Sequence, residues 1–176
     1  MKEKIRLLLK IHRTDKKGPS FKIFLGDTLL DEKNNYFEEF YENTFLLELD
    51  PGKHFLIIEH FNKQPRDTVV KDGKILSDVA IQLESIYFNG IKCHLVDLHE
   101  NYFYVSNWKY PVKSPFKNNL FFGYNGKYVY EFQSPSTKYV LSTHKKYKKE
   151  HNQLQELDIT EDEFIKQLRE YVSDGN

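Results

Sequence analysis

The chain has 176 residues, 39% of them hydrophobic and 30% charged, and its 26 basic residues balance its 26 acidic ones. That length suits a single domain with one core, and a zero net charge supplies no global field that would draw in nucleic acid or an anionic membrane. The lone cysteine, Cys93, excludes an internal disulfide framework and fits folding in a reducing cytoplasm.

The opening MKEKIRLLLKIHR has Lys10 inside a short apolar core and lacks a small-residue cleavage site, so it does not read as a secretory signal. No run approaches the roughly 20 apolar residues of a membrane span, and no membrane insertion is expected. In chain order, Ile5, Leu7, Leu9 and Ile11 alternate with Lys4, Arg6, Leu8 and Lys10, the period-2 signature of a half-buried strand. Lys16-Lys17-Gly18-Pro19 breaks that strand, Phe21, Ile23 and Leu25 resume it, and Gly26-Asp27 turns it again. Phe45, Leu47 and Leu49 form a further strand that ends at the turn Asp50-Pro51-Gly52. His54 to Phe61 carries apolar residues on both faces and predicts a central, covered strand.

Charge is segregated along this meander. From Lys2 to Lys22 eight basic residues stand against Glu3 and Asp15, whereas Asp27 to Asp50 holds eight acidic residues against Lys33. If these segments pair as strands, opposite charges face one another.

Val79 to Phe88 changes phase, with Ile81 and Leu83 at odd positions but Ile86 and Phe88 at even ones, which a β-bulge near Glu84-Ser85 reconciles. Asn89-Gly90 between Phe88 and Ile91 predicts a type I′ hairpin, because both central residues must take φ > 0. Beside Ile91 and Leu95, Cys93 suits a buried, unreactive thiol. Gly123 to Gly126 reads as a second hairpin joining Leu120-Phe121-Phe122 to Tyr128–Phe132, and Tyr139-Val140-Leu141 as a last strand. At least eight strands at short spacing predict an all-β sandwich or barrel over residues 1–143.

Residues 144–158, polar and basic, read as a linker. Beyond them Thr160 and Glu163 form a capping box and Ile159 and Phe164 a hydrophobic staple, predicting a C-terminal helix and tail over 159–176. Phe164, Ile165, Leu168, Tyr171 and Val172 share one face of that helix, a stripe suited to packing on a partner or on a second copy.

The residue types that do chemistry are not assembled into a recognisable catalytic motif. There is no Gly-rich phosphate loop, HExxH helix or nucleophile elbow, and no enzyme activity is expected. His54 and His60, six apart on one strand, fall short of the three or four converging ligands of a zinc site. Asp67, Asp72 and Asp78 share one loop, which could gather oxygen ligands, but their spacing differs from an EF-hand and Asp72-Gly73 reads as a tight turn. Tyr102 to Pro111 crowds aromatic residues. Tyr102 and Tyr104 suit the core, while Trp108 and Tyr110, among polar neighbours, suit surface stacking on a sugar ring or a protein.

The runs EHFNKQPRDT (Glu59 to Thr68), AIQLESIYFNGI (Ala80 to Ile91) and FFGYNGKYVYEFQSPSTKYVL (Phe121 to Leu141) resemble small proteins of tailed bacteriophages, especially marine T4-like myoviruses. Those proteins are similar to calcium-dependent, xylan-binding-type carbohydrate-binding modules. The resemblance implies a jelly-roll-like β-sandwich acting without catalysis as a virion-associated structural or decoration/adhesion protein, made in the host cytoplasm and carried to the virion. Its partners would be virion proteins, further copies of itself, or glycans met by Trp108, Tyr110 and the Asp67, Asp72 and Asp78 loop. No cofactor is expected, calcium being the one candidate that the resemblance brings. A protein–protein assembly module without sugar binding is the alternative, and single-stranded nucleic-acid binding through stacked aromatics a weaker third reading, since the neutral chain offers no evident basic groove.

Overall fold

The structure, a computed structural model, describes residues 2–99, 102–105, 116–117 and 120–156. In chain order its elements are β1 (Lys2–His12), β2 (Ser20–Leu25), β3 (Thr28–Lys33), β4 (Phe40–Glu48), β5 (Gly52–Phe61), the short pair β6 (Val69–Lys71) and β7 (Lys74–Ser77), β8 (Ala80–Phe88) and β9 (Ile91–Lys92). There follow the five-residue helix α1 (Leu95–His99), β10 (Tyr102–Val105), β11 (Phe116–Lys117), β12 (Phe121–Phe122), β13 (Gly126–Ser134) and helix α2 (Ser136–Glu156). The chain divides into two compact units, Met1–Thr143 and His144–Asn176. No helix among the described residues is long and apolar enough to cross a membrane.

The first unit is a jelly-roll-like sandwich of two antiparallel sheets. One runs β12-β8-β1-β4, with β9 on β8, and the other β11-β10-β13-β5-β2-β3; β6 and β7 pair with each other alone. The chain crosses between the sheets repeatedly, as from β1 to β2, β3 to β4, β4 to β5, β9 to β10 and β12 to β13. The alternation along β1 sets the layers: Ile5, Leu7 and Leu9 are wholly buried, while Lys4 and Arg6 face outward. Across the gap lie Phe21, Ile23, Leu56, Ile58, Tyr128, Tyr130 and Phe132 in the same apolar cluster. The ring of Phe88 in one sheet lies 4.5 Å from that of Phe132 in the other. Each such side chain contributes about 1.5–3 kcal/mol through burial.

The segregated charges do face one another. β1 pairs with β4 and β2 with β3, with Arg6 3.0 Å from Glu42 and Lys22 3.6 Å from Glu32. The expected bulge is present: Leu8 pairs with Ser85 and Leu9 with Leu83, leaving Glu84 as the extra residue. Asn89 and Gly90 have φ of 49° and 85°, as their turn requires. Cys93 is buried, and burial pushes its thiol up to about 12.

Three expectations are corrected. β5 is central within its sheet, but Phe55 is exposed and Ile57 and Glu59 are half-buried, so only its inner face is covered. Phe121-Phe122 does not form a hairpin with Tyr128–Phe132; β12 pairs with β8 in one sheet while β13 pairs with β5 in the other. The intervening Asn125 is turned away from a local β-turn by its bonds to Lys63, whose N–H donates to Asn125 Oδ1 and whose C=O accepts from Nδ2, both at 2.9 Å.

The third correction concerns Tyr139-Val140-Leu141, which is helix, as is the supposed linker as far as Glu156. The cause lies at the other end of the sequence. Buried Glu3 accepts bonds from Ser136 N–H (2.9 Å), Ser136 Oγ (2.5 Å), Ser134 Oγ (2.9 Å) and Asn89 Nδ2 (2.6 Å), so its carboxylate satisfies the first amide of α2. Val140, wholly buried, then joins the core from the first turns of the helix. The helix expected over 159–176, with Phe164, Ile165, Leu168, Tyr171 and Val172, lies outside the described residues.

Candidate functional site

The segment between β5 and β8 leaves the sandwich at one end and projects the β6–β7 hairpin from it. Asn62, at φ 62°, ends β5 by turning the chain out of the sheet. Lys63 then points inward: 5% exposed, it donates from Nζ to Asp78 Oδ1 at 2.6 Å and to the Gly123 carbonyl at 2.5 Å. Asp78 Oδ1 also accepts from Thr68 Oγ1 (2.7 Å) and from the N–H of Val79 (2.9 Å). One buried cation thus ties together the start of the segment, its end and the β12–β13 connection.

A second pair repeats the device. In the 3₁₀ turn Pro65–Asp67, the Asp67 carboxylate accepts from the N–H of Gln64 at 2.7 Å and from Lys17 Nζ at 2.5 Å. Burial raises the Asp67 pKa, but the Lys17 and Gln64 bonds outweigh it and leave the carboxyl below its ordinary range. Lys17 Nζ also reaches the Asn62 carbonyl at 2.7 Å. The strap that carries Lys17 is fixed at Gly18, where a Cβ would lie 1.9 Å from the Tyr36 carbonyl oxygen, so no larger residue fits there.

Beneath both pairs His60 is 1% exposed and donates from Nδ1 to the Tyr124 carbonyl at 3.0 Å; burial, opposed by that bond, brings its pKa down to about 4. Above them the hairpin turns at Asp72-Gly73, with φ of 53° and 73°. It exposes Val69, Val70, Ile75 and Leu76 by 43%, 57%, 65% and 62%.

Grooves flank its base. One, of about 490 Å³, is lined by Ile11, His12, Arg13, Ile75, Leu76, Ser77, Asp78 and Phe121; the other, of about 640 Å³, runs past Lys16, Lys17, Arg66, Asp67, Val69 and Leu76. Both fall within the size range of ligand clefts.

The three loop aspartates therefore occupy different settings. Asp67 and Asp78 form the base of the segment and Asp72 stands at its exposed tip. Lysine ammonium groups sit where a cation would be bound by Asp67 and Asp78, and no group of three or more His, Cys, Asp or Glu among the described residues converges as a metal site would require. This donor set does not fit calcium, which takes six to eight oxygens. Trp108 and Tyr110 lie outside the described residues. The sequence reading missed Lys17 and Lys63, because their partners lie 50 and 15 residues away. The one local signal was a lysine, Lys63, two residues after a strand whose alternate residues face inward.

No family model matches the chain, and no curated protein matches it. Among solved structures it is similar to vCBM60, described with two families of calcium-dependent carbohydrate binding modules, at 12% identity and a TM-score of 0.46, over 73% of this chain and 89% of that one. It is likewise similar to vCBM60 in complex with galactobiose, at 12% identity and a TM-score of 0.40, over 72% and 96%.

Proposed function

We propose that this protein is a non-catalytic β-sandwich recognition module that docks on a macromolecular partner through the β6–β7 end, serving as a structural or decoration protein of a tailed-phage particle. The phage setting rests on the sequence resemblance. The docking reading rests on one observation: four aliphatic side chains stand exposed on a hairpin whose base is fixed by two ion pairs with buried aspartate or lysine ends. Several large aliphatic side chains left exposed on one short hairpin point to an interaction site.

The non-catalytic reading is supported by how several buried carboxylates are engaged. Glu3 is saturated by four donors, Asp67 and Asp78 by lysines, and Asp97 by the Tyr130 hydroxyl, so their bonds are spent on holding the fold. We read the module as working without calcium at this end, a reading supported by Lys17 and Lys63, which neutralise the Asp67 and Asp78 carboxylates.

Fractionation of purified particles tests the reading. The wild-type chain should sediment with the particle, and Val70→Asp/Ile75→Asp, both at exposed positions, should remain folded yet be lost from it. A wild-type chain found only in the soluble fraction, or a variant incorporated equally, would refute the proposal.

A glycan reading is favoured separately by Phe121, 40% exposed beside His12, Arg13 and Asp78 in the smaller groove, an aromatic face with polar groups around it. Under that reading Trp108 and Tyr110 would supply further stacking faces. It requires saturable oligosaccharide binding that Phe121→Ala weakens.

A further inference from the structure

The end of the sandwich that carries the hairpin also carries a loop of opposite character. Phe37-Glu38-Glu39-Phe40 leaves all four side chains exposed, the phenylalanines by 39% and 44%. The hairpin sets Lys71 and Lys74 on either side of its turn, beside its exposed aliphatics. The two are neighbours through the end of β1. The Ile11 N–H donates to the Glu39 carbonyl at 2.9 Å, and the Arg13 guanidinium lies 5.6 Å from the centre of the Phe37 ring. Ile11 and Arg13 also form one wall of the groove whose other wall is Ile75 and Leu76.

One surface thus holds an acidic, aromatic loop next to a net basic, aliphatic hairpin: two glutamates between two phenylalanines, and two lysines against the single Asp72 of the turn among four aliphatics. Two hairpins brought together would repel through their lysines, and two loops through their glutamates. A two-fold axis avoids both, because it sets the loop of one copy on the hairpin of the other and repeats that contact. An anionic lipid surface is a poorer match, since Glu38 and Glu39 would face it together with the lysines.

We propose that the docking partner of this end is a second copy of the chain, in an isologous dimer that pairs residues 37–40 of each protomer with β6–β7 of the other. The proposal rests on the reading of the hairpin as a docking surface and names its partner.

Sedimentation velocity over a concentration series tests it. The wild-type chain should enter a monomer–dimer equilibrium. Lys71→Glu/Lys74→Glu places like charges across both contacts and should weaken the dimer by at least about tenfold, as should Glu38→Lys/Glu39→Lys. Mixing the two variants places opposite charges across both contacts again and should restore a dimer containing one copy of each, a result that misfolding cannot produce. A wild-type chain that stays monomeric, variants that dimerise as well as wild type, or a mixture that forms no heterodimer would overturn the proposal. Binding of the wild-type monomer to phosphatidylserine vesicles in place of dimerisation would overturn it too, assigning the surface to lipid. Particle incorporation that persists without a dimer would leave the docking reading standing and remove only the second copy as partner.

Discussion

His60 and Glu3 set opposite limits on how this fold responds to acid. Burial brings the imidazole of His60 down to about 4 from its ordinary value of 6.5, so the unfolded chain binds a proton there that the folded chain refuses. The stability it contributes is complete above pH 6.5 and is lost as pH falls toward 4, by up to about 3 kcal/mol. Burial raises the Glu3 carboxyl, but its bonds from Ser136, Asn89 and Ser134 outweigh that and leave it lowered, so its contribution is present above the ordinary carboxylate pKa and lost only as pH falls through the lower folded value. Two acid phases are therefore expected in urea unfolding followed against pH. His60→Gln should flatten the phase between pH 6.5 and 4 and spare the one below it. A wild-type chain whose stability is level between pH 6.5 and 4 would contradict the buried, neutral imidazole. Neither role was legible in the sequence, where His60 reads only as an inward residue of a strand and Glu3 as an interruption among basic ones. Their partners, Tyr124 and Ser136, lie 64 and 133 residues away.

Elements whose form is decided locally were legible, and those decided by distant partners were not. Alternation fixes β1, the Asn89-Gly90 pair fixes the β8–β9 turn, and the phase change across Glu84 fixes the bulge, because each depends on neighbours within a few residues. The strand expected at Tyr139–Leu141 fails because two β-favouring residues, Tyr139 and Val140, are outweighed by a helix start held by Glu3 and by the inward position of Val140. The loop aspartates were legible as a group but not in role, since the cations facing them are Lys17 and Lys63. That role has a consequence for the hairpin segment. Asp78→Ala leaves the Lys63 ammonium buried without its counter-ion and should cost about 3 kcal/mol, whereas Asp78→Ala combined with Lys63→Met should cost clearly less than the two single changes summed. A double-mutant cycle in urea measures this. Neither calcium nor chelator should move the melting temperature, because a bound ion would raise it by mass action; a rise with calcium would contradict the lysine-closed base.

Across the whole molecule, balanced charge conceals an ordered distribution. Basic β1 and β2 pair with acidic β4 and β3, which brings Arg6 to Glu42 and Lys22 to Glu32 at the surface, and such exposed pairs contribute only about 0–1 kcal/mol each. The two-sheet core supplies the stability, and the loops at one end are free to carry function. The sandwich itself was readable from strand number and turn spacing. The switch of β12 into the opposite sheet was not, because Gly123 to Gly126 imitates a hairpin while Asn125 is engaged by Lys63. With the base of the β6–β7 segment fixed by internal ion pairs and its aliphatics left outward, docking through this end is the central claim. Hydrogen exchange read by mass spectrometry, comparing the particle-bound chain with free monomer, tests it most directly. Amides over residues 65–79 should exchange more slowly in the bound chain, and equal exchange there with protection elsewhere would contradict the account.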